Sequence, residues 1–121
     1  MEKKKTLVLG ASQNPSRYSY LAINKLRQYD HPVVAIGKRT GEVRGVPIVT
    51  TQEHFENIDT VTLYLNPINQ KPYIDYILSL KPKRIIFNPG TENEQLNDLA
   101  LQHGIQPIEA CTLVMLSTGQ Y

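Results

Sequence analysis

A chain of 121 residues, 40% hydrophobic and 20% charged, with a formal net charge of +2, has the size and composition of one folded domain, expected over residues 1–121. This excludes a disordered chain and one that needs disulfides or metals to hold its core. The single cysteine, Cys111, excludes an internal disulfide framework and a cysteine-based zinc site and suits a reducing cytoplasm. No apolar run approaches the roughly 18 to 20 residues of a membrane span, and Leu7 to Leu9 ahead of Gly10 are too few for a signal peptide, so a soluble, cytoplasmic protein is expected.

Thr6 to Gly10 (TLVLG) reads as a first strand, short and apolar on both alternating faces. Ser16 to Tyr29 has helical period, with Ser19, Ala22, Ile23, Leu26 and Tyr29 on one side. Pro32 to Gly37 is the second strand. The stretch GEVRGVPIVTT that follows holds two glycines and a proline and reads as a loop or a short edge pairing. Gln52 to Asn57 is expected to be a short helical turn. Thr60 to Leu65 is the third strand, and Pro72 to Lys81 a helix whose stripe is Tyr73, Ile74, Ile77 and Leu78. Arg84 to Asn88 is the fourth strand. In TENEQLNDLALQHG, Leu96, Leu99, Ala100 and His103 share a face, Thr91 and Glu94 read as a capping box, and Gly104 is the stop. Gln106 to Ala110 is the fifth strand, and the segment from Cys111 onward finishes as a helix packed on the sheet.

Strands alternating with helices imply βαβ units with right-handed crossovers. The expected fold is therefore α/β: a Rossmann-like, doubly wound, mainly parallel five-stranded sheet with helices on both faces. Ligands of such sheets lie beyond the carboxyl ends of the strands, where the strand order reverses, next to the first βα turn. That rule gathers four segments at one crevice. The candidate binding residues are Gly10, Ala11, Ser12, Asn14, Pro15, Arg17 and Tyr18 after the first strand and Gly37, Lys38 and Arg39 after the second. Asn66 and Pro67 follow the third, and Asn88, Pro89 and Gly90 the fourth. Asn66 and Asn88 are expected to offer their amides to the crevice, where amides orient a ligand rather than transfer protons.

The stretch LGASQNPSRYSY carries the chemistry. Gly10 lets the chain turn sharply, Ala11 and Ser12 keep side chains small so that backbone N–H groups can approach a phosphate, and Ser12 adds a hydroxyl donor. Pro15 or Ser16 opens a helix whose first N–H groups have no internal partner and whose dipole favours an anion. Arg17 in that first turn is unfavourable for the helix unless something negative sits nearby. A protein built for NAD usually carries Asp or Glu at the end of its second strand. Here Lys38 and Arg39 take that place, which points to a nucleotide with an extra phosphate on its ribose, either NADP or coenzyme A.

Charge is distributed in the same sense. Residues 1–45 hold nine basic side chains against three acidic ones, while the remainder holds four against eight, so the first third of the chain favours an anionic ligand. Two Phe and no Trp, without interleaving of basic and aromatic residues, argue against nucleic acid as a partner.

The loop GAS.NP.RYSY, the stretch G.VRGVPI near residue 45, NPGTENEQL after the fourth strand and the GI....AC ending at Cys111 together resemble the small CoA-binding domain proteins related to the N-terminal domain of the succinyl-CoA synthetase alpha subunit. The resemblance spans nearly the whole chain and implies coenzyme A as the cofactor, with the family's binding residues falling on Ser12, Pro15, Arg17 and Tyr18. This sequence departs from many relatives in Ile36-Gly37-Lys38, where Val-Asn-Pro is common, and in Phe87-Asn88-Pro89-Gly90, where an aromatic-Gln-x-Gly stretch is common.

His31, His54 and His103 lie away from the expected crevice, and no Ser-His-Asp, paired-carboxylate or metal-ligand constellation is readable. The expectation is a CoA or acyl-CoA binder with no catalytic residues, no metal and no self-contained catalysis. No nucleic-acid or membrane partner is expected, and a homo-oligomer or an unknown protein partner is left open. The competing readings are an NADP-binding oxidoreductase and a regulatory subunit with a decayed nucleotide site. Cys111, following the last strand, is either a small buried residue or a thiol near the ligand end of the sheet.

Overall fold

Short β-branched runs separated by helical stretches build a single seven-stranded sheet in the computed structural model, which describes residues 2–121. The strands are β1 (Thr6–Ala11), β2 (Val33–Gly37), β3 (Gly41–Val43), β4 (Val46–Val49), β5 (Thr60–Leu63), β6 (Arg84–Phe87) and β7 (Gln106–Glu109). Their order is β3-β4-β2-β1-β5-β6-β7, parallel throughout except where β3 runs antiparallel to β4. The chain moves outward from β1 through β2 and returns to β5 on the other side, so the strand order reverses between β1 and β5.

The helices are α1 (Tyr18–Gln28), α2 (Pro67–Gln70), α3 (Ile74–Leu80), α4 (Glu94–Gln102) and α5 (Thr112–Ser117), with a 3₁₀ turn at Lys71–Tyr73. Alternation along the strands divides the core in two. Leu7, Leu9, Leu63, Ile85 and Phe87 face α3 and α4 and pack with Ile77 and Leu96. Val8, Ala35, Ile48 and Ile86 face α1 and α5 and pack with Ile23, Leu26 and Leu116. The expected doubly wound α/β class with helices on both faces is the observed one.

The sheet has seven strands where five were expected, because the stretch after β2 is a hairpin. Arg44 (φ 49°) and Gly45 (φ 79°) form its two-residue turn, and Val43 pairs with Val46. Two central residues with positive φ match the twist of the flanking strands. A basic residue at the first of them, in place of Asn or Asp, hides the signal. The edge pairing, one of the two readings of this stretch, is the correct one, and β4 also joins β2 in parallel.

Three local expectations are corrected. The first helix begins at Tyr18 rather than Pro15 or Ser16, because residues 12–17 spend their backbone and side-chain groups on turns of their own. Gln52 to Asn57 is irregular, tied down where the Tyr76 hydroxyl donates to Glu53 O (2.6 Å) and Gln52 Nε2 to Pro72 O (2.9 Å). The helix in NPGTENEQL is capped by Asn93, whose Oδ1 accepts from Leu96 N–H (3.3 Å), not by a Thr91–Glu94 box. The Thr91 hydroxyl is already committed to Asn88 O (2.8 Å) in the preceding turn.

Candidate functional site

Gly10 sits at the end of β1 with φ +96°, and a Cβ there would lie 2.9 Å from both the carbonyl carbon and oxygen of Tyr64. Only glycine meets both demands, the left-handed backbone and the close approach of the neighbouring strand. The β1–β2 register slips at this point, between Leu9 and Ala11. Next to it, a Cβ on Gly37 would lie 2.3 Å from Ala11 O. Two glycines thus let the ends of β1, β2 and β5 close tightly below a cleft of about 890 Å³, within the ~300–1,000 Å³ usual for small-molecule sites.

The loop beyond Gly10 is organised by its own side chains. Asn14 N–H donates to Ser12 Oγ (3.0 Å), while Asn14 Oδ1 accepts from Ser16 N–H (3.0 Å) and Ser16 Oγ (2.8 Å). Arg17 N–H donates to Asn14 O (3.0 Å) and delivers the chain into α1. Arg17 is the N-cap residue but provides no side-chain cap, and the first turn of α1 has no acidic residue. The leading N–H groups of α1 therefore keep the partial positive charge of a helix start. Arg17, Tyr18 and Ser19 line the cleft there.

On the opposite wall Lys38, Arg39 and Thr40, between β2 and β3, also line the cleft. Arg17, Lys38 and Arg39 are all exposed. The one ion pair among the described residues joins Lys83 to Asp59 (3.8 Å), so none of the three cations is neutralised within the chain. Tyr64, Leu65, Asn66 and Asn69 after β5 and Pro89, Gly90 and Thr91 after β6 complete the lining. A smaller, mainly apolar cleft of about 220 Å³ continues beside Lys38, bounded by Ile36, Gly37, Leu65, Ile68, Pro72 and Tyr73. The Tyr64 hydroxyl is buried without a hydrogen-bond partner, and burial pushes the phenol well above its ordinary pKa of 10.0, so it stays protonated.

Of the residues singled out in the sequence, Gly10, Ala11, Ser12, Asn14, Arg17, Tyr18, Gly37, Lys38, Arg39, Asn66, Pro89 and Gly90 all line one or other cleft. Pro15 and Pro67 do not: both are exposed residues that shape the turns leading into α1 and α2. Asn88 does not either. Its amide is buried, with Nδ2 donating to Thr62 Oγ1 (2.7 Å) and Leu63 O (2.9 Å) and Oδ1 accepting from Thr112 N–H (2.9 Å). Every polar atom of that side chain is spent joining β5, β6 and α5. Asn66 lines the cleft, but its Oδ1 accepts from Asn69 N–H (2.9 Å) as the cap of α2. Cys111, half-buried at the carboxyl end of β7, is not among the lining residues.

Sequence reasoning placed Gln13 in the loop at the crevice without a role, and missed Ser19, Thr40, Tyr64, Leu65 and the apolar annex. Tyr64 and Leu65 end an expected strand, and that position was itself the available signal, since the carboxyl ends of central strands face the ligand. Gln70 was also missed. From a buried position its Nε2 donates to Leu65 O and Thr91 O (both 2.7 Å) and its Oε1 accepts from Asn93 Nδ2 (2.8 Å), holding the α2 and α4 approaches together.

A family model for a "CoA binding domain" matches residues 4–117. No curated protein matches the chain. Among solved structures, one described as an "uncharacterized protein" is 50% identical over 100% of both chains, with a TM-score of 0.97. A hypothetical protein from Pyrococcus horikoshii OT3 is 20% identical over 97% of this chain and 84% of its own, with a TM-score of 0.87. A dinucleotide-forming acetyl-coenzyme A synthetase from Ca. Korarchaeum cryptofilum is 19% identical over 88% of this chain and 25% of its own, with a TM-score of 0.70. The last two likenesses are of fold.

Proposed function

Because the chain belongs to the CoA binding domain family, we propose that it binds coenzyme A or an acyl-CoA reversibly in the cleft at the β1–β5 reversal and performs no chemistry on it by itself. The observation that carries this reading is the meeting of three unpaired cations, Arg17, Lys38 and Arg39, with an uncapped helix start around one cleft. The diphosphate is assigned to the loop from Gly10 to Arg17 and the leading N–H groups of α1, where backbone donors and helix dipole act on an anion together. The ribose phosphate is assigned to Lys38 and Arg39, and the adenine to the apolar annex beside them. The pantetheine arm then runs past Tyr64 toward Pro89 and Gly90.

The proposed lack of chemistry rests on the lining. Asp, Glu, His and Cys are all missing from the residues around the two clefts, leaving no group there that titrates near neutrality. Tyr64, held protonated by burial, can donate a hydrogen bond but not act as a base.

Calorimetric titration with CoA, dephospho-CoA and NADP tests the proposal. CoA is expected to bind, and dephospho-CoA to bind roughly ten- to a hundredfold more weakly, the worth of charge-assisted contacts to one phosphate. Equal affinities for CoA and dephospho-CoA, or tighter binding of NADP, would refute it.

A further inference from the structure

Gln13 leaves the loop after β1 and crosses to the opposite wall of the cleft. Its Oε1 accepts a hydrogen bond from Glu42 N–H in β3 (2.9 Å). Its stem lies flat on Gly41: a Cβ at that position would be 2.4 Å from Gln13 Cγ and 2.3 Å from Cδ. The φ of Gly41 lies outside the left-handed region, so what glycine provides here is room for the exposed Gln13 side chain rather than a special conformation. The sheet itself links these two segments only as far as Ala11 and Gly37. Beyond that point, among the described residues, the Gln13–Glu42 hydrogen bond is the only one joining residues 12–17 to residues 38–43.

The position of this bridge gives it a consequence for the ligand. Lys38 and Arg39 stand on the three-residue link between β2 and β3, exposed and without acidic partners. Long cationic side chains on an untethered link must be ordered when a phosphate arrives, at an entropic cost that weakens binding. A link already tethered to the loop that receives the diphosphate has met part of that cost in advance. On the reading of the cleft given above, we infer that Gln13 is a positioning residue: a strut, seated on Gly41, that holds the Lys38–Arg39 wall at a fixed span from the Gly10–Arg17 loop and so sets the preference for a ligand with a ribose phosphate.

Three variants separate the parts of the strut. Gln13→Ala removes it, Gln13→Met keeps its length over Gly41 but removes the acceptor, and Gly41→Ala leaves Gln13 intact but occupies its seat. The readout is the ratio of CoA to dephospho-CoA affinity by calorimetry, alongside the melting temperature of the free protein. A merely structural role for Gln13 would lower the melting temperature and leave the ratio alone. The strut instead narrows the ratio by roughly two- to tenfold in each variant, the worth of one hydrogen bond, with little change in melting temperature. It also makes the Gln13→Ala, Gly41→Ala pair no worse than either change alone. An unchanged ratio in Gln13→Ala, when the wild type prefers CoA, overturns the strut and spares the proposed function. A wild type that shows no saturable CoA binding, or no preference, overturns both.

Discussion

The two ends of the parallel sheet use polar groups in opposite ways. At the amino end, below β1, β5 and β6, polar side chains are buried and turned on one another. The Tyr121 ring lies against His31 (centroids 4.8 Å apart, planes tilted by 59°) and Arg84 (guanidinium carbon 4.4 Å from the ring centroid), and its hydroxyl bonds to Thr6 Oγ1. Arg84 Nε donates to Thr60 Oγ1 (2.8 Å), and Lys4 N–H donates to His31 Nδ1 (3.0 Å). At the carboxyl end the cations are exposed and unpaired, the leading helix N–H groups are uncapped, and glycines thin the floor. Both ends are rich in donors: those at the amino end are buried, two of them, His31 Nε2 and Arg84 Nη2, without a partner, while those at the carboxyl end face the cleft. A donor buried in the chain is out of a ligand's reach whether or not it is paired, whereas an exposed one stays available.

The largest expected effect tests the closed end. Tyr121→Ala empties a buried site and strips the ring contact from His31 and Arg84, so chemical denaturation should show a loss of about 3 to 5 kcal/mol, while CoA affinity of the folded protein stays unchanged. A change in affinity would mean that the two ends are coupled.

At the open end the expectation is reversed. Lys38→Ala combined with Arg39→Ala should weaken CoA binding by roughly ten- to a hundredfold, toward the affinity for dephospho-CoA, as read by calorimetry. The melting temperature of the free protein should hardly move, since both side chains are exposed and unpaired.

Asn88 sharpens the contrast because it lies at the open end of the sheet yet is wired like the closed one. Asn88→Ala should cost about 1 to 3 kcal/mol of stability by orphaning the groups of Thr62, Leu63 and Thr112 it now satisfies, with less effect on CoA affinity. The opposite balance would return it to the site.

Arg17→Ala is expected to weaken CoA roughly tenfold and to leave apo stability unaltered or slightly improved, since a cation at a helix start is unfavourable without an anion. A marked loss of melting temperature would make Arg17 structural.

The smallest effect is a pH dependence. Burial first, then the charges of Lys3, Lys4 and Arg84, hold His31 below its ordinary value of 6.5, with Asp59 opposing. The folded protein therefore resists the proton that the unfolded chain accepts. Stability from this group is complete above 6.5 and declines as the pH falls from 6.5 toward the lower folded value. Denaturant midpoints at about pH 7.5 and about pH 5.5 should differ more in the wild type than in His31→Asn, which keeps an acceptor for Lys4 N–H but does not titrate.

Much of the fold was legible because alternating apolar runs and helical stripes are local properties. Leu7 to Leu9, Ile85 to Phe87 and the face containing Leu96 and Ala100 state their partners' sides directly. The hairpin at Arg44-Gly45 was legible only as one of two readings, since its turn uses an uncommon residue at a positive-φ position. That the loop from Gly10 to Tyr18 and the cations Lys38 and Arg39 border one cleft was legible because the class of sheet dictates which loops meet. What each side chain then does was decided by tertiary structure. Asn66 and Asn88 are the same residue type in the loops after neighbouring strands, yet one borders the cleft and the other is consumed by three buried hydrogen bonds.

The sequence by itself thus determined the sheet class and which loops and cations gather at one end of the sheet, because periodicity, glycine spacing and charge are written along the chain. Only the tertiary structure decided that Gln13 crosses to Glu42 over a glycine, that Asn88 turns inward and that Tyr121 closes the far end. Each of these depends on a partner many residues away, and a hydrogen bond or a close approach at that separation leaves no local pattern in the sequence.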